Sequence, residues 1–329
     1  MYQRKAIFVC IFAVFVLIFS VASLAQATTQ PRITQALDGR MVRLKGNTHP
    51  LAQPQFDRGP APDSLPAERM LLVLQRGPGQ QAELQQLLGE QQTKSSSSYH
   101  KWVTPQEFGL RFGPADADIA AVTNWLASQG FRVNRVSAGR TVIEFSGTAG
   151  QVRQAFRTEI HKFMVNGEEH WANASDPQIP AALAPVVRGF VTLHNFRKKP
   201  QIKISDQRIA AKFSPGPSPQ VTFQNGEYAL GPGDYAVIYN MNPILQSPPG
   251  VSGPPAGFGT TIAVVGRSNI NIQDVFQFRN IFGLPSNNPQ VLIDGVDPGD
   301  LGGDEEAEAV LDTTWSGALA PGASSPWQK

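Results

Sequence analysis

Between Arg197 and Gly233 the chain loses the hydrophobic periodicity found on either side, and this break limits how it can fold. Arg197-Lys-Lys-Pro200 leads into Lys203, Arg208, Lys212 and the run Pro215-Gly-Pro-Ser-Pro219. Proline removes the backbone donors that helices and inner strands need, and few apolar residues are present to bury. Residues 197–233 are therefore expected to form an extended linker open to proteases, or simply a solvated tether. A chain of 329 residues has room for about two domains, one on each side.

Upstream, residues 28–64 are polar and proline-containing, which predicts an irregular leader to a domain over residues 65–196. Met70-Leu-Leu-Val-Leu-Gln75 reads as a strand, and leucines 84, 87 and 88 give residues 81–91 the spacing of an amphipathic helix. Lys94-Ser-Ser-Ser-Ser98 is a loop. Thr104-Pro-Gln-Glu107 is a capping box with proline at the first helical position. A helix over 115–129 carries Ile119, Val122, Trp125 and Leu126 on one side, and Gly130 closes it. Residues 131–133 and 141–145 read as strands. Thr148-Ala-Gly-Gln151 is a second capping box, opening a helix to about Phe156, and residues 159–163 follow as a strand. A short helix over 180–188 and a closing strand over 191–193 complete the series. This order predicts an α+β sandwich of the ferredoxin-like, split β-α-β type, with helices covering an antiparallel sheet.

Downstream, over residues 234–329, the pattern changes. Thr261-Ile-Ala-Val-Val265 after Gly257-Phe-Gly259 is a continuous apolar run, as expected of a buried parallel strand. A helix over 272–282, a strand over 291–293 and a helix over 304–319 follow. Strand, helix, strand, helix is the opening of a doubly wound α/β domain.

The N-terminus has the form of a secretory signal over residues 1–27. Arg4 and Lys5 precede an apolar stretch from Ala6 to Leu24, and Ala25-Gln-Ala27 supplies the small residues for cleavage after Ala27. Retained, the same stretch would be a membrane anchor; the Ala-x-Ala site and the polar residues after it favour removal. Cys10, the only cysteine, lies inside this segment, so the remaining chain is expected to have no disulfide, cysteine nucleophile or thiolate metal site. A net charge of +2 gives no electrostatic case for binding nucleic acid or an anionic membrane.

The chemistry concentrates at Glu308-Ala-Val-Leu-Asp312, just before the small-residue run Gly317-Ala-Leu-Ala-Pro-Gly-Ala323. Carboxylates at i and i+4 share a helix face, and each opposes ionisation of the other, which can keep one protonated for acid/base work. A solvated acidic helix start has the same appearance: Asp304, Glu305 and Glu306 crowd a position that the helix dipole makes favourable for acids. Trp315, seven residues after Glu308, marks that side as other than open solvent. His49, His100, His161, His170 and His194 all precede the linker, so no Ser-His-Asp triad can be built downstream. His161 and His170, flanking a turn at Asn166-Gly167, read as ordinary surface histidines. No His/His/Glu metal spacing and no phosphate loop is present.

At this point the residues resemble a known family. Ser98-Tyr-His-Lys-Trp-Val-Thr-Pro-Gln-Glu-Phe108, Val122-x-x-Trp-Leu-x-x-x-Gly-Phe131 and Ser146-Gly-Thr-x-x-Gln-Val-x-x-Ala-Phe156 are similar to the activation prodomain of the kumamolisin–sedolisin peptidases. Ile179-Pro-Ala-Ala-Leu183 and Gly189-Phe-Val-Thr-Leu193 fit the same domain. Tyr235-x-x-x-Tyr239-Asn240, Thr261–Val265 and Glu308-Ala-Val-Leu-Asp312 with its small-residue run are similar to the start of the catalytic domain, a subtilisin-like α/β fold.

The resemblance implies a secreted serine-carboxyl peptidase zymogen working at acidic pH, in which Glu308 is the general base for a serine nucleophile and Asp312 orients it. It implies protein or peptide substrates, a prodomain set against its own or a related catalytic domain, and calcium in intact members. The departures are equally specific. The family's Gly-Thr-Ser serine, its oxyanion-hole aspartate and its calcium loop have no counterparts here, and Gly266 stands at a strand end where some members carry an acid. Ser324-Ser-Pro-Trp-Gln-Lys329 stands where the family continues into a hydrophobic strand and is expected not to serve as the buried strand. The expected product is a zymogen cut short in its catalytic domain and inactive alone. The alternatives are a stand-alone prodomain that inhibits or helps fold an intact relative, and a nonfunctional remnant.

Overall fold

The computed structural model describes residues 29–202, 211–213, 219–245, 253–293, 297–324 and 326–328. The segment read as a secretory signal, and residues 203–210 and 214–218 of the expected linker, lie outside the described residues. The chain divides into two compact units after Arg197.

In the first unit the elements run β1 (Met41–Arg43), β2 (Asp57–Pro60), β3 (Pro66–Leu74), α1 (Pro78–Gln92), α2 (Pro105–Phe112), α3 (Asp116–Ser128), β4 (Arg132–Val136) and β5 (Val142–Thr148). They continue through α4 (Ala149–Phe156), β6 (Ile160–Val165), β7 (Glu168–Asn173), β8 (Gln178–Pro180) and β9 (Val187–Phe190). Both capping boxes form. Thr104 Oγ1 accepts from Glu107 N at 3.2 Å while the Glu107 carboxylate accepts from Thr104 N at 2.7 Å. Gln151 Oε1 accepts from Thr148 N at 2.8 Å. Gly130, at φ +84°, ends α3 where an L side chain would be strained.

The main sheet is antiparallel and four-stranded, in the order β4-β5-β3-β9. Met70 and Leu72 of β3 and Ile143 and Phe145 of β5 point to one face. There they meet Val122, Trp125 and Leu126 of α3 and Val152 and Phe156 of α4. Phe156 is the centre of an aromatic knot, stacked on Phe131 at 5.3 Å and edge-on to Trp125 at 5.7 Å.

Several expectations are corrected. Residues 159–163 form a strand, but β6 belongs to a separate three-stranded sheet, β2-β6-β7. The strand that closes the main sheet is β9, which starts earlier than the expected closing strand over 191–193. The helix expected over 180–188 shrinks to one 3-10 turn at Ala181–Leu183, because Pro185 can neither donate nor let its predecessor stay helical easily. Leu88 faces outward, and the buried stripe of α1 runs through Leu84, Leu87 and Gln91, whose side chain donates to Lys101 O.

The segment read as an irregular leader is woven into this unit. β1 pairs with β8, and Ile33, Val42 and Leu44 pack on the main core. Asp118, fully buried in α3, accepts from the backbone N–H groups of Arg32 at 2.9 Å and Ile33 at 2.8 Å.

The second unit begins earlier than the sequence suggests. β10 (Ala211–Phe213), β11 (Val221–Phe223) and β12 (Tyr228–Ala229) form an antiparallel sheet inside the stretch read as linker. Buried Asp234 accepts from Gln220 N and Gly231 N, both at 2.8 Å, and so fixes this sheet to α5 (Pro232–Ile238). Then come α6 (Asn242–Leu245), β13 (Val264–Val265), α7 (Ile272–Ile281), β14 (Gln290–Leu292), α8 (Gly303–Leu319) and β15 (Pro326–Gln328). β15 lies between β13 and β14 in a parallel three-stranded sheet.

The tail after Ala323, expected not to supply a buried strand, pairs as a strand all the same. The backbone needs only an extended path, and Ile262 N reaching Ser324 O at 2.8 Å starts it. The parallel strand expected over Thr261–Val265 is reduced to Val264–Val265 with an isolated bridge at Thr261, and it is not buried: Val265 is 74% exposed. The core of this unit is small, centred on Ile270, Val275 and Ala309.

Asp118→Ala is expected to leave two partly buried N–H groups unpaired and to destabilise the first unit by about 2 kcal/mol. Hydrogen exchange checks it: the amides of residues 29–44 lose protection first, while those of β3 and β5 keep theirs.

Candidate active site

Helix α8 places the expected catalytic pair. Its buried side is made of small residues: Ala309, Thr313, Thr314, Gly317 and Ala318. Thr313 Oγ1 donates to Ala309 O at 2.8 Å and Thr314 Oγ1 to Val310 O at 2.7 Å, so both hydroxyls are satisfied within the helix. Glu308 and Asp312 lie along the flank of that side, one turn apart, with Glu308 half-buried and Asp312 exposed. One turn further on, Trp315 packs edge-on to Tyr235 at 4.8 Å and against Phe278 at 6.2 Å. The flank thus runs from a charged end into an aromatic cluster shared with α5 and α7.

The two carboxylates are coupled through space. Desolvation and, after it, the negative charge of Glu308 push the Asp312 carboxyl above the usual carboxylate range. No hydrogen bond joins the pair, and among the described residues no cation or hydroxyl reaches either side chain. The acidic residues at the helix start are engaged separately. Glu305 pairs with Arg267. Glu306 is pushed up by burial and by Asp300 and Asp274. Among the described residues no cluster of three or more His, Asp or Glu side chains could hold a metal ion.

Sequence reading missed the residue that holds this helix end. Arg279 of α7 is 3% exposed, and its guanidinium donates to Pro285 O at 2.6 Å, Gly317 O at 3.3 Å and Pro321 O at 3.0 Å. A cation against the terminal carbonyls of α8 satisfies groups that a helix leaves unpaired. Burial without a carboxylate partner lowers its pKa. Gly317 is small for a reason: a Cβ there would lie 3.0 Å from Arg279 Nη1. The available signal was Arg279 four residues after Val275, on the apolar side of the helix.

The histidines also differ from their sequence reading. His161 and His170 are largely covered, with side chains 18% and 17% exposed, and His161 Nδ1 meets Asp57 at 2.8 Å.

Comparison with known proteins identifies the first unit. Residues 56–196 match the family described as Pro-kumamolisin, activation domain. This chain carries a sedolisin-family prodomain. It is 26% identical over 235 residues to sedolisin of Pseudomonas sp. (strain 101), covering 70% of this chain and 37% of that protein. It is 29% identical over 212 residues to xanthomonalisin of Xanthomonas sp. (strain T-22), covering 63% of this chain and 24% of the relative. The chain thus spans about a third and a quarter of these proteins' lengths. Both matches are longer than the stretch from Met1 to Phe196, so the similarity runs past the prodomain into the second unit.

Removing the charge at Glu308 is expected to let Asp312 ionise more easily. In Glu308→Gln the Asp312 titration midpoint, followed by carboxyl-carbon NMR, moves down but stays above the ordinary aspartate range, because the desolvation remains; an unmoved midpoint would show that the two do not interact. Arg279→Leu, which leaves three carbonyls without their donor, is expected to destabilise the second unit by about 3 kcal/mol in chemical denaturation.

Proposed function

We propose that the chain is the prodomain and the beginning of the catalytic domain of a secreted serine-carboxyl peptidase of the sedolisin type. The observation that carries this reading is the continuity of the match: the similarity to sedolisin and xanthomonalisin passes the end of the prodomain and enters the unit that holds Glu308 and Asp312. In this reading the first unit is a ferredoxin-like prodomain, supported by the antiparallel order β4-β5-β3-β9 with α3 and α4 on one face. The parallel arrangement of β13, β15 and β14 with α7 and α8 supports a subtilisin-like α/β beginning.

Glu308 is the proposed general base toward a serine hydroxyl, and Asp312 the residue that orients and tunes it. A carboxylate suits this role in acid, where an imidazole would already be protonated. Asp312, with its raised pKa, keeps its proton to higher pH than an ordinary aspartate, which lessens the charge repulsion on Glu308 under acidic conditions. The partner of the prodomain would be its own or a related catalytic domain, and the substrates would be proteins or peptides.

No hydroxyl among the described residues contacts either carboxylate, so the 329-residue chain is proposed to be inactive alone. Incubated with a denatured protein at about pH 4, where carboxylate bases function, the purified chain is expected to release no peptides above background. Peptide release that Glu308→Gln abolishes would show a complete site in this chain and overturn that assignment.

A second reading is favoured by the self-contained core of the first unit: an inhibitor or folding assistant of an intact relative.

A further inference from the structure

The last residues of the first unit are held by aromatic rings around one side chain. Phe196 stacks on His49 and on His170, each at 4.2 Å, and lies 6.1 Å from His194. His49 and His194 are 4.6 Å apart. Beneath them, Phe196 packs on a small core of Phe163, Val165 and Ala172, the inner side chains of β6 and β7. The backbone on either side of His194 is tied to β7: Asn173 N donates to Leu193 O at 3.1 Å, and Asn195 N to Trp171 O at 3.0 Å. Trp171 N donates in turn to Asn195 Oδ1 at 2.8 Å.

We propose that His49 and His194 form a proton-operated latch on Phe196: the neutral rings hold residues 193–196 against β7, and protonation releases them. This goes beyond the peptidase reading and does not depend on it.

Three observations require neutral rings. First, His49 Nδ1 accepts a hydrogen bond from Leu51 N at 3.2 Å, which a protonated nitrogen cannot do. Second, His194 Nδ1 is buried without a hydrogen-bond partner, and the cost of burial outweighs the Phe196 backbone, which favours the charged ring. Third, the rings are close enough that charging one opposes charging the next. Burial, and then the neighbouring imidazoles, lower the pKa of both His49 and His194.

The surrounding charges are mostly engaged with groups other than His49 and His194. On β7, the Glu168 carboxylate lies 3.7 Å from His170 Nε2. On β6, His161 is matched by Asp57 of β2 at 2.8 Å and Glu159 at 3.3 Å, which leaves it outside the latch. Desolvation raises the Asp57 carboxyl, but the Gly59 N–H and His161 outweigh it and hold it below its ordinary range. Lys162 pairs with Glu169 at 2.9 Å, and both are one residue out of register with the face that carries His170. Near the loop with His49, Asp176 is taken up by Gly46 N, Asn47 N and the Thr48 hydroxyl. The chain beyond Phe196 continues Arg197-Lys-Lys199, adding positive charge beside any imidazolium that forms.

The direction follows from linkage. For a histidine whose folded pKa lies below the unfolded value of about 6.5, stability is complete above that pH and is lost as pH falls through the folded pKa. Acid should therefore free the end of the prodomain, next to the linker, while the main sheet stays closed.

Hydrogen exchange on the full chain at about pH 7.5 and about pH 5, corrected for intrinsic rates, tests this. Peptides covering 190–197 are expected to lose protection about tenfold or more at the lower pH, with β3 and β5 unchanged. In the double variant His49→Gln, His194→Gln the protection of 190–197 should no longer depend on pH. No loss in the natural chain, or an undiminished loss in the variant, would overturn the latch. If the variant is already open near neutrality, NMR titration of the natural histidines decides. Midpoints for His49 and His194 below about 6.5 uphold the latch, and midpoints at or above it refute it.

Discussion

Strand β3 is the piece on which the first unit depends. It pairs with β5 on one side and with β9 on the other, so one stretch of nine residues joins segments from the middle and the end of the unit. Its alternation places Met70, Leu72 and Leu74 on the side that α3 and α4 cover, and the aromatic knot around Phe156 closes over them. Closing such non-local pairs is entropically expensive, and the burial of this shared core is what offsets it. The N-terminal segment is secured to that core by the Asp118 carboxylate, and residues 193–196 are secured beside it by the rings around Phe196.

The second unit is built differently. Its core has few fully buried apolar side chains, and its parallel strands are short. Order around the carboxylate helix depends more on polar ties: Arg279 against the end of α8, Asn287 donating to Pro321 O and Ala323 O, and Asp234 joining β11 to α5. The small-residue run that follows Glu308 and Asp312 is explained by this packing. A Cβ on Gly317 would crowd Arg279, and one on Gly322 would lie 2.6 Å from Pro255 O. The run positions the helix, and the carboxylates on its flank are available for chemistry as a consequence.

Local signals in the sequence were read well where they are self-contained. The boxes at Thr104 and Thr148 and the stop at Gly130 carry their partners within a few residues, so sequence alone places those helix ends. Residues whose structure depends on distant partners were not legible. The leader strands at 41–43 and 57–60 exist because β8 and β6 accept them, and nothing in their own polar composition announces that. The strand at 326–328 has unpromising side chains and is ordered by backbone pairing with β13 and β14. Glu308 and Asp312 were legible as a pair by spacing, but the packing of Trp315 on Tyr235 and Phe278 beyond them was only partly so. Arg279 and the histidines around Phe196 came to light only once their neighbours were in place.

The central claim is that residues up to Arg197 are a folded prodomain shaped to sit on a sedolisin-type catalytic domain. The most direct measurement is to titrate the purified chain into an intact sedolisin-type peptidase and follow hydrolysis of a peptide substrate. The account predicts saturable inhibition with a Kd of about 1 μM or tighter, equivalent to at least about 8 kcal/mol of binding. Unaltered hydrolysis with the chain at about 100 μM, together with intact β3 and β5 protection, would contradict it.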